Sequence, residues 1–108
     1  MSVVITVMSG AEDGKTFELS KTTFMLGRHP HDDVCLPYDS RVSRHHAQIT
    51  KKCDSYFIED VGPNGKGSTN GTYVGEKRIG TTTAIQSGEM ILLGSVWIRF
   101  EAKAVIPT

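Results

Sequence analysis

Hydrophobic residues recur at every second position along most of this chain. Val3, Ile5 and Val7 share one face of an extended segment, with Val4, Thr6 and Met8 on the other. Phe17 and Leu19 alternate in the same way, as do Phe24 and Leu26, Val34 and Leu36, Ala47 and Ile49, and Tyr56 and Ile58. Val96, Ile98 and Phe100 alternate with Trp97, Arg99 and Glu101. Successive side chains of a β-strand point to opposite faces, so each segment reads as a strand with one buried face. The unbroken run Met90-Ile91-Leu92-Leu93 predicts a strand buried on both faces. No stretch longer than about ten residues carries the i, i+3, i+4 spacing of an amphipathic helix.

Turn-forming pairs separate these segments: Ser9-Gly10, Asp13-Gly14, Asn64-Gly65, Asn70-Gly71 and Ser87-Gly88. Short strands at about 8–12-residue spacing indicate a β-sandwich or barrel, here of roughly ten strands and almost no helix. The stretch Gly62-Pro63-Asn64-Gly65-Lys66-Gly67-Ser68 has no apolar residue and several positions able to adopt positive φ. It predicts an exposed, mobile loop. The alternation fades after Phe100, so residues 1–102 read as one domain and 103–108 as the start of a linker.

At 108 residues the chain suits one domain with its own core. No apolar run approaches a membrane span, and no basic start leads into a signal-like apolar stretch, so neither membrane nor secretory signal is expected. Twelve Lys and Arg balance twelve Asp and Glu, which argues against a nucleic-acid binder but leaves room for a local basic pocket. Cys35 and Cys53 are too few for a disulfide scaffold, and a reducing cytoplasm is the expected compartment. His29, His31, His45, His46 and the two cysteines lack zinc-site spacing, so no metal or cofactor is expected.

Polar residues suited to chemistry gather in three loops. The first is Gly27-Arg28-His29, the second Arg41-Val42-Ser43-Arg44-His45-His46, the third Ser68-Thr69-Asn70-Gly71-Thr72. Loops of a sandwich cluster at its two ends, so these groups could share one site. That site would hold Arg28, Arg41, Arg44, two hydroxyls and an amide, without a carboxylate to act as a base. Arginine with hydroxyl donors suits a phosphate.

Gly27-Arg28, then Ser43-x-x-His46, then Asn70-Gly71 resembles the forkhead-associated (FHA) domain family, in order and spacing. Asp33-Val34-Cys35-Leu36-Pro37, Asp60-Val61 and the closing Ile85-Gln86-Ser87-Gly88-Glu89-Met90-Ile91-Leu92-Leu93-Gly94 are similar to its smaller motifs. The resemblance implies an antiparallel sandwich of about eleven strands whose loops bind phosphothreonine peptides in Ser/Thr-kinase signalling. It implies phosphate contacts from Arg28, Ser43 and Arg44, and peptide contacts from Arg41, Thr69 and Asn70. Gly27, His46 and Gly71 would be scaffold. The expected partner is a phosphothreonine-containing protein, and the chain a monomeric module of a larger, cytoplasmic protein (nuclear if eukaryotic). One departure stands out: about five extra residues, within 62–67, precede the Ser-x-Asn-Gly segment beside the site.

Two other readings stay open on the sequence. One is a phosphate-independent interaction domain on the same fold. The other is a hydrolase using Ser43 and His46, although Gly-x-Ser-x-Gly and an acidic partner are missing. A phosphate loop around Gly65-Lys66 fails, because Asp60 and Gly67 stand where Gly and Ser or Thr are needed.

Overall fold

The computed structural model describes residues 2–103. Among these residues the chain forms eleven strands and no helix: β1 Ser2–Val7, β2 Thr16–Leu19, β3 Thr23–Gly27, β4 Val34–Cys35, β5 Ala47–Lys52, β6 Ser55–Asp60, β7 Thr72–Val74, β8 Lys77–Ile79, β9 Thr83–Ile85, β10 Met90–Leu93 and β11 Val96–Lys103. A six-stranded sheet runs in the order β2-β1-β11-β10-β7-β8 and faces a five-stranded sheet in the order β4-β3-β5-β6-β9. The assigned pairings are antiparallel except for β3 with β4, where Leu26 and Gly27 pair in parallel with Val34 and Cys35. The loop of residues 28–33 returns the chain only far enough for those two residues to pair.

The alternating residues meet between the sheets. Val3, Ile5 and Val7 of β1, Ile91 and Leu93 of β10, and Ile98 and Phe100 of β11 are buried against Phe24 and Leu26 of β3, Ala47 and Ile49 of β5, and Tyr56 and Ile58 of β6. Each large side chain so buried contributes about 1.5–3 kcal/mol of transfer free energy. The Tyr56 and Phe100 rings meet edge-on across the layers, with centroids 5.3 Å apart.

The strand Met90–Leu93 departs from expectation. Only Ile91 and Leu93 are buried, while Met90 and Leu92 lie half-exposed on the outer face. No layer covers that face; Leu92 is flanked in register by Trp97 and Tyr73. The short strands β7, β8 and β9 carried no period-2 signal, since Lys77–Ile79 holds one apolar residue. They are defined by pairing to neighbours. β11 continues through Lys103, one residue past the expected boundary, and 104–108 lie outside the described residues.

The base of the inserted loop is tied to the framework by backbone hydrogen bonds. Gly67 N–H donates to the Val61 carbonyl at 2.7 Å and Gly65 N–H to the Gly62 carbonyl at 3.3 Å. Val61 and Gly62 N–H both donate to the His46 carbonyl, at 3.0 and 3.2 Å. Pro63, Asn64, Gly65 and Lys66 remain exposed at its tip.

Candidate functional site

The end of β3, the starts of β5, β7 and β11, and the end of β6 lie at one end of the sandwich, as the registers Leu26–Ala47, Ala47–Asp60 and Leu93–Thr72 require. The three polar loops therefore converge there. Val42 anchors the middle one: its side chain is fully buried, while Arg41 and Arg44 on either side are exposed.

Arg28 joins the first loop to the second. Its backbone N–H donates to the Ser43 carbonyl at 3.1 Å, and its Nε–H donates to the Val42 carbonyl at 2.9 Å. The guanidinium is thus oriented by one nitrogen, and its terminal Nη groups have no protein partner among the described residues. Neither Asp32 nor Asp33 pairs with it. Asp33 instead accepts from Lys21 Nζ at 2.7 Å and from Met25 N–H at 2.9 Å. Burial pushes the Asp33 carboxyl up, but the Lys21 and Met25 bonds prevail and hold it below its usual value.

Ser43 is almost buried, and its Oγ accepts the Thr69 N–H at 3.2 Å. The oxygen is fixed while the hydroxyl proton stays free to donate. Asn70 ties the third loop to the second by donating Nδ2–H to the Arg41 carbonyl at 2.9 Å. That leaves its Oδ1 and second N–H at the surface. Arg28, Ser43, Thr69 and Asn70 are in this way linked through one backbone network.

His46 lies beneath this network, fully buried. Its Nδ1 accepts the Ser43 N–H at 2.9 Å and its Nε2 pairs with the Gly71 carbonyl at 2.8 Å. An acceptor at Nδ1 and a carbonyl at Nε2 place the proton on Nε2. Burial pushes this imidazole below its ordinary value of 6.5, so it stays neutral. Both ring nitrogens are engaged by the backbone, and neither is paired with the Ser43 hydroxyl.

Close approach explains two glycines. A Cβ on Gly27 would overlap the Asp32 carboxylate and stand 2.7 and 2.9 Å from the His45 and His46 nitrogens. Gly27 has no positive φ; space alone excludes a side chain. Gly71 has φ of 86°, and a Cβ there would meet the Arg78 guanidinium at 2.9 Å.

Two carboxylates support the loops where the sequence suggested none. Asp32, its side chain wholly buried, accepts His29 N–H at 3.0 Å, His45 N–H at 3.1 Å and pairs with His45 Nδ1 at 2.5 Å. Asp60 accepts Ser68 N–H at 3.1 Å and Thr72 Oγ1–H at 3.2 Å. These interactions occupy oxygens of both carboxylates within the loop framework. The local signal for Asp32 was its turn: Pro30 in His29-Pro30-His31-Asp32, closed by Asp32 N–H to the His29 carbonyl at 2.9 Å. Nothing local signalled that it would reach His45.

The remaining arginines flank Ser43. Arg41 is exposed, and its guanidinium has no ion pair among the described residues. Asp39 is taken instead by Arg41 N–H at 3.0 Å and by the Ser95 hydroxyl at 2.7 and 2.8 Å. Gly94 passes so close that a Cβ would strike the Arg41 carbonyl. Arg44 lines a different cleft of about 210 Å³ with His29, His45, Pro63 and Asn64.

The end of the sandwich therefore presents oriented cationic and hydroxyl donors on a rigid backbone lattice, the form of a loop-built binding module for an anionic ligand. The family model for the FHA domain matches residues 24–94. The chain belongs to the FHA domain family. It is 34% identical over 99 residues to an oxoglutarate dehydrogenase inhibitor of Corynebacterium jeikeium, covering 92% of this chain and 64% of that protein. Among solved structures it is similar to the FHA domain of the CT664 protein of Chlamydia trachomatis, with TM-score 0.82, 28% identity and coverage of 96% of this chain and 100% of the other. A domain from a structural and functional study of phosphothreonine-dependent FHA interactions matches with TM-score 0.79 and 28% identity, covering 97% of this chain and 100% of that one. Both matches extend over nearly the whole two-sheet sandwich.

Proposed function

We propose that this domain binds phosphothreonine peptides of partner proteins, as a module in Ser/Thr-kinase-dependent signalling. Arg28 supplies the paired terminal N–H donors, Ser43 one hydroxyl, and Arg44 a flanking charge; Thr69 and Asn70 hold the peptide backbone, with Arg41 further along it. The observation that carries this reading is the Arg28 Nε–H bond to the Val42 carbonyl at 2.9 Å, which orients the fork beside Ser43 and leaves both Nη groups open. The study in which one structural neighbour was solved concerns phosphothreonine-dependent interactions, which supports the ligand.

A phosphoryl group carries about −1.5 to −2 charge and three acceptor oxygens. Charge-assisted bonds contribute roughly 1.5–3 kcal/mol each, so two or three, less the cost of association, leave binding near the micromolar range. Burying the threonine methyl adds only ~0.8 kcal/mol, about fourfold over serine. The domain acts by binding and not by catalysis, since His46 is committed to the backbone and offers Ser43 no base. It works as a monomeric, cytoplasmic module of a longer protein, without nucleic-acid, membrane or cofactor ligands.

The test is a titration with a degenerate phosphothreonine peptide library and its unphosphorylated twin. Binding confined to the phosphorylated library is expected. Equal binding of both would favour a phosphate-independent interaction domain and overturn the proposal.

A further inference from the structure

The cleft holding Arg44 also contains His29, His45, Pro63 and Asn64, which the phosphate contacts do not use. His29, Arg44, His45, Pro63 and Asn64 enclose about 210 Å³ between the first two loops and the inserted loop. The His29 and His45 rings stack on one wall, with centroids 4.7 Å apart. Each ring is held by one nitrogen: His29 Nδ1 accepts the His31 N–H at 3.0 Å, and His45 Nδ1 is bound to buried Asp32. Each therefore keeps its Nε2 unpaired among the described residues. The Arg44 guanidinium and the Asn64 amide have no protein partner among them either. No carboxylate lines the cleft; Asp32 is buried behind it.

Position ties this cleft to the site. His29 follows Arg28 and Arg44 follows Ser43, so two of its walls stand one residue, about 3.8 Å of chain, from the two chief phosphate contacts. Apart from Pro63 its lining residues are polar, Arg44 brings a positive charge, and it opens to solvent. Arg41 lies with Asn70 and Gly94 elsewhere around Ser43.

We propose that this cleft is a second subsite, which takes a carboxylate side chain of the bound peptide on the N-terminal side of the phosphothreonine. Resting on the phosphothreonine reading, it gives the inserted loop a role: residues 63 and 64 form the wall that the neighbouring loops lack. Arg44, whose charge also flanks the phosphate, turns its fork to the carboxylate, Asn64 and His29 Nε2 add donors, and Pro63 completes the lining. The N-terminal side rests on the proposed place of Arg41 along the residues after the phosphothreonine.

The loop can be removed to test this. A Cβ on Gly62 would overlap the Gly67 carbonyl and lie 2.9 Å from the Ser68 nitrogen, so Gly62 and Ser68 are already neighbours. Deleting residues 63–67 lets the chain close across that gap. The experiment uses phosphothreonine peptides in which a single Asp or Ala occupies each of the three positions before the phosphothreonine. They are titrated against wild type, the 63–67 deletion and His29→Ala, with melting temperature as the check on folding. In wild type, Asp at one of these positions is expected to tighten binding up to about fivefold over Ala, the scale of an exposed charged contact. That ratio falls to about one in the deletion, and below about half its wild-type size in His29→Ala. No Asp preference at any of these positions, with phosphate-dependent binding intact, overturns the subsite and leaves the main reading standing. So does a preference that survives in the deletion. Absence of phosphate-dependent binding in wild type overturns the main reading itself. If the deletion fails to fold, Asn64→Ala with Pro63→Ala in the full-length loop gives the same ratio, and an unchanged ratio there overturns the subsite.

Discussion

His46 Nε2 donates to the Gly71 carbonyl at 2.8 Å, joining two loops separated by 25 positions in the chain. The same ring accepts the Ser43 N–H, so a single buried side chain sets the distance between the Ser43 loop and the Asn-Gly turn. Its neutral state is part of that arrangement, because a proton on Nδ1 would abolish the bond to Ser43.

Replacing His46 by Ala leaves the buried Ser43 N–H without a partner, at about 1–3 kcal/mol, and opens a cavity beneath the loops, while the Gly71 carbonyl keeps only the Gly94 N–H at 3.2 Å. A loss of about 2–4 kcal/mol is expected at pH 7.5, seen as a lower melting temperature together with weaker phosphopeptide binding. The pH dependence has a definite sign. Burial holds the folded His46 below its ordinary 6.5, so the unfolded chain takes up the proton first as pH falls. The stability from neutral His46 is complete above 6.5 and is lost below it, down to the folded value. The stability gap between wild type and His46→Gln should therefore narrow between pH 7.5 and 5. A constant gap across that range would show that His46 titrates alike in both states. Loss of binding without loss of melting temperature in His46→Ala would move it from scaffold to ligand contact.

Gly27→Val should unfold the loop end, because even the first carbon has no room beside Asp32 and the His45 and His46 nitrogens. A cost of about 2 kcal/mol or more is expected, or a drop of roughly 10 °C in melting temperature. Gly80→Ala is the control: nothing lies within 4 Å of its Cβ position, and its φ is not in the left-handed region. It should be neutral or stabilising by about 0.4–1 kcal/mol. Equal behaviour of the two variants would rule out the steric account of Gly27.

Arg28→Ala should remove phosphopeptide binding and spare the fold. Stripping one partner from a desolvated charge pair costs about 2–5 kcal/mol, or ~30- to several-thousand-fold in affinity. The Nε–H bond to Val42 is also lost, for a stability change near 1 kcal/mol. Arg28→Lys keeps the charge but neither the fork nor the Nε contact, and should recover little. A folded Arg28→Ala protein binding within threefold of wild type would refute its assignment as the phosphate ligand.

Arg41 is expected to favour an acidic residue at the third position after the phosphothreonine. The rival, an ion pair with Asp39, is not formed; that carboxylate holds Ser95 and the Arg41 backbone. An exposed contact of this kind contributes only ~0–1 kcal/mol and fades with salt, so the preference should be no more than about fivefold. Peptides differing only by Asp or Ala at that position, titrated at low and high salt against wild type and Arg41→Ala, measure it. Equal affinities in wild type at low salt, or a preference unchanged in Arg41→Ala, would each end the assignment.

Alternation along the chain was enough to place the large strands, because a period of two survives any arrangement of neighbours. Val3, Ile5, Val7, Ile98 and Phe100 are buried as their spacing requires. The order of Gly27-Arg28, Ser43-x-x-His46 and Asn70-Gly71 was equally legible, since those residues keep their types wherever the loops lie. Tertiary structure decided the rest. Lys77–Ile79 is a strand through its pairing to β7, and Met90 and Leu92 are half-exposed because no layer covers their face. Asp32 is a buried clamp only because His45, 13 positions away in the chain, is folded against it. The inserted loop takes its path where Gly67 N–H meets the Val61 carbonyl and Val61 N–H meets that of His46. Such bonds join residues with no fixed spacing. A linear pattern records which face a residue takes within its own strand, and it carries no record of which distant backbone group will be waiting there.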